Sequence, residues 1–171
     1  MTALANPVAA PSREDARAVY EDVRAFYDAY FEALDEDRLE EWADFFVEDC
    51  RYRIIPRENY EAGQKACIMQ GDSKGMLTDR VRAIRSTQVY APRYCRRFYS
   101  GLWLVNRSGR QLQTRQNLLV VHTLVSRPSK ILGCGAAHDR LILTDGGHLK
   151  LVERTIILDT EMIDNTIIYP F

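Results

Sequence analysis

Four long runs of strand-forming residues, Tyr94–Asn106, Gln111–Ser126, Ile131–Thr144 and Leu149–Asp159, fill the second half of the chain, separated only by RSGR, RPS and DGG. Connectors this short leave no room for a crossover, so each run must pair antiparallel with the one before it. Strands this long twist and curl instead of lying flat. A curled sheet has a concave side that must be filled, and the first half of the chain has to fill it.

The first half reads as helical with one strand inserted. In PSRED, Ser12 caps a helix and Asp15, three residues on, completes a capping box. Val19, Val23, Phe26, Tyr30 and Leu34 then recur at helical spacing, and Tyr20, Tyr27 and Phe31 widen the stripe. A shorter helix from Arg38 sets Leu39, Trp42, Phe45 and Phe46 against Glu40, Glu41 and Asp44. Beyond Asp49 the stretch CRYRIIP alternates Cys50, Tyr52 and Ile54 with Arg51 and Arg53, a strand stopped by Pro56. Residues 57–73 are polar and read as mainly loop, with one helical turn near Glu61–Met69. Lys74–Gln88 spaces Leu77, Val81 and Ile84 as a third helix flanked by Arg80, Arg82 and Arg85. The expected architecture is a flexible arm at 1–10 and a single α+β cone domain at 11–171, its long curved antiparallel sheet wrapped around the N-terminal helices.

Charge excludes several roles. Lys and Arg number 23 against 24 Asp and Glu, a net charge of -1, so no global field attracts a nucleic acid or an anionic membrane. No apolar run approaches the roughly 18 residues needed to span a bilayer, and MTALANPVAAPSRED lacks a signal peptide's pattern. A cytoplasmic location is expected. Cys50, Cys67, Cys95 and Cys134 stand far apart, with no C-x-x-C pair, and read as reduced, mostly buried thiols.

Sequence offers little for catalysis. His122 falls in phase with Leu118, Val120 and Leu124 and reads as a core histidine; His138 abuts Asp139, and the final hairpin brings Asp139 and Arg140 near Glu153 and Arg154 for cross-strand pairing. His148 follows a turn. No H-E-x-x-H, G-x-S-x-G, P-loop or dinucleotide fingerprint occurs, and GCGAA at 133–137 fits a bulge or close packing. RYCRRFYSGLW mixes Arg93, Arg96 and Arg97 with Tyr94, Phe98, Tyr99 and Trp103; with so little net charge, this mixture suits a protein interface better than nucleic acid. Ile167, Ile168, Tyr169 and Phe171 are too apolar to stay in water and should dock on the chain's own sheet or on a neighbouring subunit.

FYDAYFEALDEDRLEEWADFFVEDCRYRIIP, MLTDRVRAIRSTQVYAPRYCRRF and GCGAAHDRLILTDGGHLKLVERTIILD, with the final phenylalanine, together resemble the small (beta) subunit of aromatic-ring-hydroxylating dioxygenases, the Rieske non-haem iron oxygenases. The resemblance runs from Phe26 to Phe171 and implies a cone-shaped fold similar to nuclear transport factor 2. It also implies a homotrimer beneath three large subunits, a heterohexamer in which the large chain holds a Rieske iron-sulfur cluster and a mononuclear iron. A Rieske cluster takes two cysteines and two histidines in C-x-H and C-x-x-H boxes, which this sequence lacks. No catalytic, cofactor-binding or metal residue is therefore expected in this chain. Carried over by position, Arg80 and Arg82, Arg96 and Arg97, and the pair Asp139 and Arg140 are expected to order the fold or its interfaces, with Trp42, Trp103 and Phe171 in supporting places. The family motif has a proline-serine-arginine stretch where this sequence reads PRYCRR. RENYEAG and IMQGDSKGML look more like branches acting on hydroxylated or amino-substituted benzoates than those acting on biphenyl.

Two functions compete on this sequence. One is a non-catalytic structural subunit in aromatic compound breakdown, an oxidoreductase only as part of its complex. The other is a stand-alone isomerase or dehydratase of the same cone fold, in which Tyr27, Tyr52, His122 and Asp139 would converge in a pocket. A binding module would need the cavity without the base. The continuous aromatic and aliphatic stripes suggest a filled cone, which favours the first.

Overall fold

A computed structural model describes residues 13–86, 90–163 and 166–171; the arm at 1–10, the Ser12 cap and the end of the third helix beyond Ser86 lie outside the described residues. Helix α1 spans Arg13–Asp35 and buries Val23, Tyr27, Tyr30, Phe31 and Leu34, the stripe its spacing predicts. It ends where Asp37 adopts φ 58 and the Arg38 amide reaches back to the Ala33 carbonyl at 2.8 Å, a Schellman-type stop. Arg85 then clamps this corner through Asp37 at 2.6 Å and Glu40 at 2.8 Å.

Helix α2 is one turn, Leu39–Trp42, followed by a 3-10 turn at Ala43–Phe45. Strand β1, Phe46–Pro56, begins earlier than the alternation from Cys50 suggests. Val47, Glu48 and Asp49 read as the end of an acidic helix, yet β1 pairs here as an irregular edge, with a register shift between Phe46 and Arg51. Residues 57–73 also depart from a loop: α3 is Arg57–Glu61 and a three-residue strand β2, Met69–Gly71, pairs antiparallel with β1. Helix α4, Lys74–Ser86, buries Leu77, Val81 and Ile84.

The long strands are β3 (Arg93–Ser108), β4 (Gln111–Leu124), β5 (Lys130–Leu143) and β6 (Leu149–Leu158), antiparallel in sequence order. The sheet order is β2-β1-β6-β5-β4-β3, so β1 joins the edge of β6 and does so parallel. Nothing local in the sequence marks that long-range pairing. The concave face and helices enclose one core, including Tyr27, Tyr30, Trp42, Phe46, Tyr52, Leu141 and Ile156. Among the described residues no helix is long and apolar enough to cross a membrane.

A bulge in β3 decides which side chains face out. Up to Ser100, Cys95 and Arg97 are buried while Tyr94, Arg96 and Phe98 are exposed. At Gly101, with φ +57, the register shifts, and beyond it Trp103 and Val105 are exposed while Leu102 and Leu104 are half-buried. Arg97 and Trp103, which strict alternation would place on one face, lie on opposite faces.

Candidate functional site

Three neighbouring rows across the sheet organise the chemistry. On the concave side, Tyr52, Arg154, Asp139, Thr114 and Leu104 stand opposite one another across β1, β6, β5, β4 and β3. The row beside it on the convex side is Arg53, Thr155, His138, Arg115 and Trp103, and the row on the other flank is Arg51, Glu153, Arg140, Gln113 and Asn106. Alternation along each strand sends the first row inward and the others outward.

The inner row holds a closed ion pair. Arg154 Nη1 donates to Asp139 Oδ2 at 2.5 Å, and both side chains are fully buried. Tyr27 Oη donates to the same carboxylate oxygen at 2.7 Å while meeting Thr114 Oγ1 at 2.6 Å, and Gln116 Nε2 approaches it at 3.4 Å. The guanidinium lies over the rings of Tyr30 at 4.8 Å, Phe31 at 5.3 Å and Tyr27 at 5.7 Å. Burial raises Asp139 on balance, against the downward pull of Arg154, Tyr27 and Gln116; burial likewise opposes the Arg154 charge, Asp139 favours it, and the net direction for the guanidinium is upward. Around the ion pair the interior is closed but not wholly apolar: Thr114, Gln116, Asp139 and Arg154 replace the continuous apolar lining the stripes suggest.

The dehydratase constellation comes together only in part. Tyr27 and Asp139 meet, and Tyr52 shares their row. His122 pairs across the sheet with Lys130 and Cys95, whereas Asp139 pairs with Thr114, so eight residues, roughly 25 Å of strand, separate the imidazole from the carboxylate. Asp139 is engaged by a fixed cation and Tyr27 by a fixed acceptor. Burial raises the Tyr27, Tyr30 and Tyr52 phenols, so none ionises near neutrality.

The last residues complete the interior. Tyr30 Oη accepts from Trp42 Nε1 at 2.9 Å and donates to the Phe171 carbonyl at 3.0 Å. Arg97, its side chain fully buried, joins Asp35 at 2.5 Å and donates to the Pro170 carbonyl from Nη2 at 2.6 Å. Ile167, Ile168 and Phe171 are buried, and the Phe171 ring occupies the space that a Cβ on Gly133 would need. The tail therefore docks on its own sheet.

Of the other residues singled out from sequence, Trp42 is fully buried beneath α1, and Trp103 is half exposed under the Arg115 guanidinium at 5.6 Å. Arg96 is exposed and caps the end of α1 through the Asp35 carbonyl and Glu36. Arg80 is half-buried on α4, and Arg82 is exposed beside Asp79 at 2.8 Å. Asp139 belongs to the core, while Arg140 is exposed and pairs with Glu153 at 3.1 Å, the cross-strand pairing expected. Sequence reasoning missed Arg85 as a clamp, and Thr114 and Gln116 as interior groups. The four cysteines are free, two of them buried and Cys134 exposed.

The convex face is different in kind. Tyr94, Phe98, Trp103, Val105 and Ile131 are large, apolar and more than half exposed. Phe98 stands opposite Leu119, and Val121 opposite Ile131, so apolar groups run across β3, β4 and β5 at this end of the sheet, while Trp103 and Val105 lie beyond the Gly101 bulge. Monomers rarely leave such a patch in water. Among the described residues no group of three or more His, Cys, Asp or Glu side chains is placed to hold a metal ion.

N-terminal helices packed on one face of a six-stranded sheet in the order β2-β1-β6-β5-β4-β3 place the chain in the α+β cone class similar to nuclear transport factor 2. A putative scytalone dehydratase from Novosphingobium aromaticivorans shares it at TM-score 0.67 and 20% identity, over 85% of this chain and 87% of that one, a likeness of fold alone. The chain belongs to the ring hydroxylating beta subunit family, whose profile matches residues 30–165. It is 31% identical over 157 residues to the anthranilate 1,2-dioxygenase small subunit of Burkholderia cepacia, covering 92% of this chain and 96% of that one. The crystal structure of the beta subunit of a putative aromatic-ring-hydroxylating dioxygenase from Novosphingobium aromaticivorans superposes with TM-score 0.82 at 35% identity, covering 90% of this chain and 97% of that one.

Proposed function

We propose that this chain is a non-catalytic structural subunit of a multicomponent aromatic-ring-hydroxylating dioxygenase, working in the cytoplasm as a homotrimer bound to three large subunits. The large chains would carry the Rieske cluster and the mononuclear iron, for which this chain offers no clustered ligands among its described residues. The observation that carries the proposal is the contrast between the two faces. Inside, Asp139, Arg154, Tyr27 and Tyr30 are committed to one another. Outside, Tyr94, Phe98 and Ile131 lack cover, as an interface core requires.

The loop sequences RENYEAG and IMQGDSKGML, and the likeness to an anthranilate dioxygenase subunit, favour an amino- or hydroxy-substituted benzoate as the substrate of the assembly. The test is co-expression with large-subunit candidates from the same genome, followed by native mass measurement. Co-purification in equal numbers, as three plus three, supports the proposal; a chain that ignores every large subunit and stays a monomer ends it.

A further inference from the structure

We propose that the convex face carries a binding site for a small planar organic acid, in its simplest form an arene carboxylate, held between Arg53 and Arg115 with His138 at its floor. Arg53, Thr155, His138 and Arg115 lie opposite one another in the row described above, so the two arginine backbones are three strand spacings apart, about 14 Å. Both arginines line the space over this row. The cavity over this row has a volume of about 710 Å³, within the range of small-molecule sites, and the loop after α3 closes one side.

Its charges are unbalanced in a specific way. The one carboxylate at its wall, Glu153, is already used by Arg140 at 3.1 Å, and that of Asp139 points to the other face, where Arg154 holds it at 2.5 Å. Arg53, Lys65 and Arg115 make no ion pair among the described residues, and Arg53 Nε is buried without a hydrogen-bond partner. A buried guanidinium nitrogen left unpaired costs free energy that a bound oxyanion would recover. Arg115 lines the far end of the cavity, its guanidinium stacked on the Trp103 ring at 5.6 Å.

The rest of the wall suits a flat apolar body. The Tyr60 ring meets the His138 ring edge to face at 6.1 Å, and Ile55 and Val105 complete the apolar side. His138 is held below its ordinary value by burial, by Arg115 and by Arg57, against the opposing pull of Asp139. The imidazole is thus neutral at pH 7 and reports on any anion placed beside it.

The test is NMR titration of the histidine rings in the full chain, with and without sodium benzoate, and with acetate and inorganic phosphate as separate arms. Benzoate should raise the His138 pKa saturably and leave His148 unmoved. Arg53→Gln and Arg115→Gln should each weaken benzoate binding about tenfold, the loss of one charge-assisted hydrogen bond, without lowering the melting temperature. Arg115 is exposed, so its variant remains informative if Arg53→Gln fails to fold. The proposal fails if benzoate produces no saturable shift, if all three histidines move alike, if acetate or phosphate binds as well as benzoate, or if binding survives Arg115→Gln.

Discussion

Tyr52 and Phe171 hold each other through two hydrogen bonds: the Phe171 amide donates to Tyr52 Oη at 2.8 Å, and that hydroxyl donates to the Phe171 carbonyl at 3.3 Å. The last residue of the sequence is thereby part of the core that α1, β1 and β5 enclose. Phe171→Ala removes a fully buried ring packed on Gly133 and should cost about 3–5 kcal/mol. Tyr52→Phe leaves the Phe171 amide unpaired in the interior and should cost about 1–3 kcal/mol. Urea unfolding of the two variants checks both values and their order.

Arg154→Met should destabilise by about 3–5 kcal/mol, because it strands the buried Asp139 carboxylate. The double variant Asp139→Leu with Arg154→Met removes both charges at similar volume and should recover most of that loss. A double variant no more stable than the single one would mean that the ion pair holds the cone in some way beyond mutual neutralisation.

Tyr27, Tyr30 and Tyr52 have folded-state pKa values raised above the usual value, chiefly by burial. Their contribution to stability is therefore complete below the unfolded value of about 10 and declines as pH rises through and beyond it. Phenolate absorbance should show these three of the nine tyrosines silent in the intact protein and ionising together as the fold is lost. Gradual titration of all nine with the fold intact would contradict the closed interior.

Phe98→Asp and Ile131→Asp place charges on the convex patch without touching the core. Surface changes of this kind alter folding stability by about 0.5 kcal/mol or less. The same changes at a buried interface core should abolish assembly. Size-exclusion chromatography with light scattering, beside a thermal melt, separates the two effects.

Much of this molecule is written in local pattern. The helical stripe of α1, the four long strands and the Asp139–Arg154 and Arg140–Glu153 cross-strand pairs follow from periodicity and tight turns. What escaped has physical reasons. The parallel union of β1 with β6 brings together residues about a hundred positions apart, which no local period records. Gly101 inverts the parity of β3, so alternation alone misplaces Trp103 relative to Arg97. Strand β4 begins QLQTRQN, polar at nearly every position, so Thr114 and Gln116 give no sign that they point inward. Arg53 and Arg115 look like ordinary solvated arginines until the sheet register sets them on either side of His138.

The central claim is that this chain assembles an oxygenase without performing its chemistry. Oxygen uptake with an aromatic acid and the cognate electron-transfer proteins tests it most directly, measured on the purified chain, on the purified large subunit and on the two combined. The account predicts no turnover by this chain alone, and turnover tied to the iron content of the large subunit in the complex. Oxygen consumption or substrate conversion by the isolated chain would contradict it.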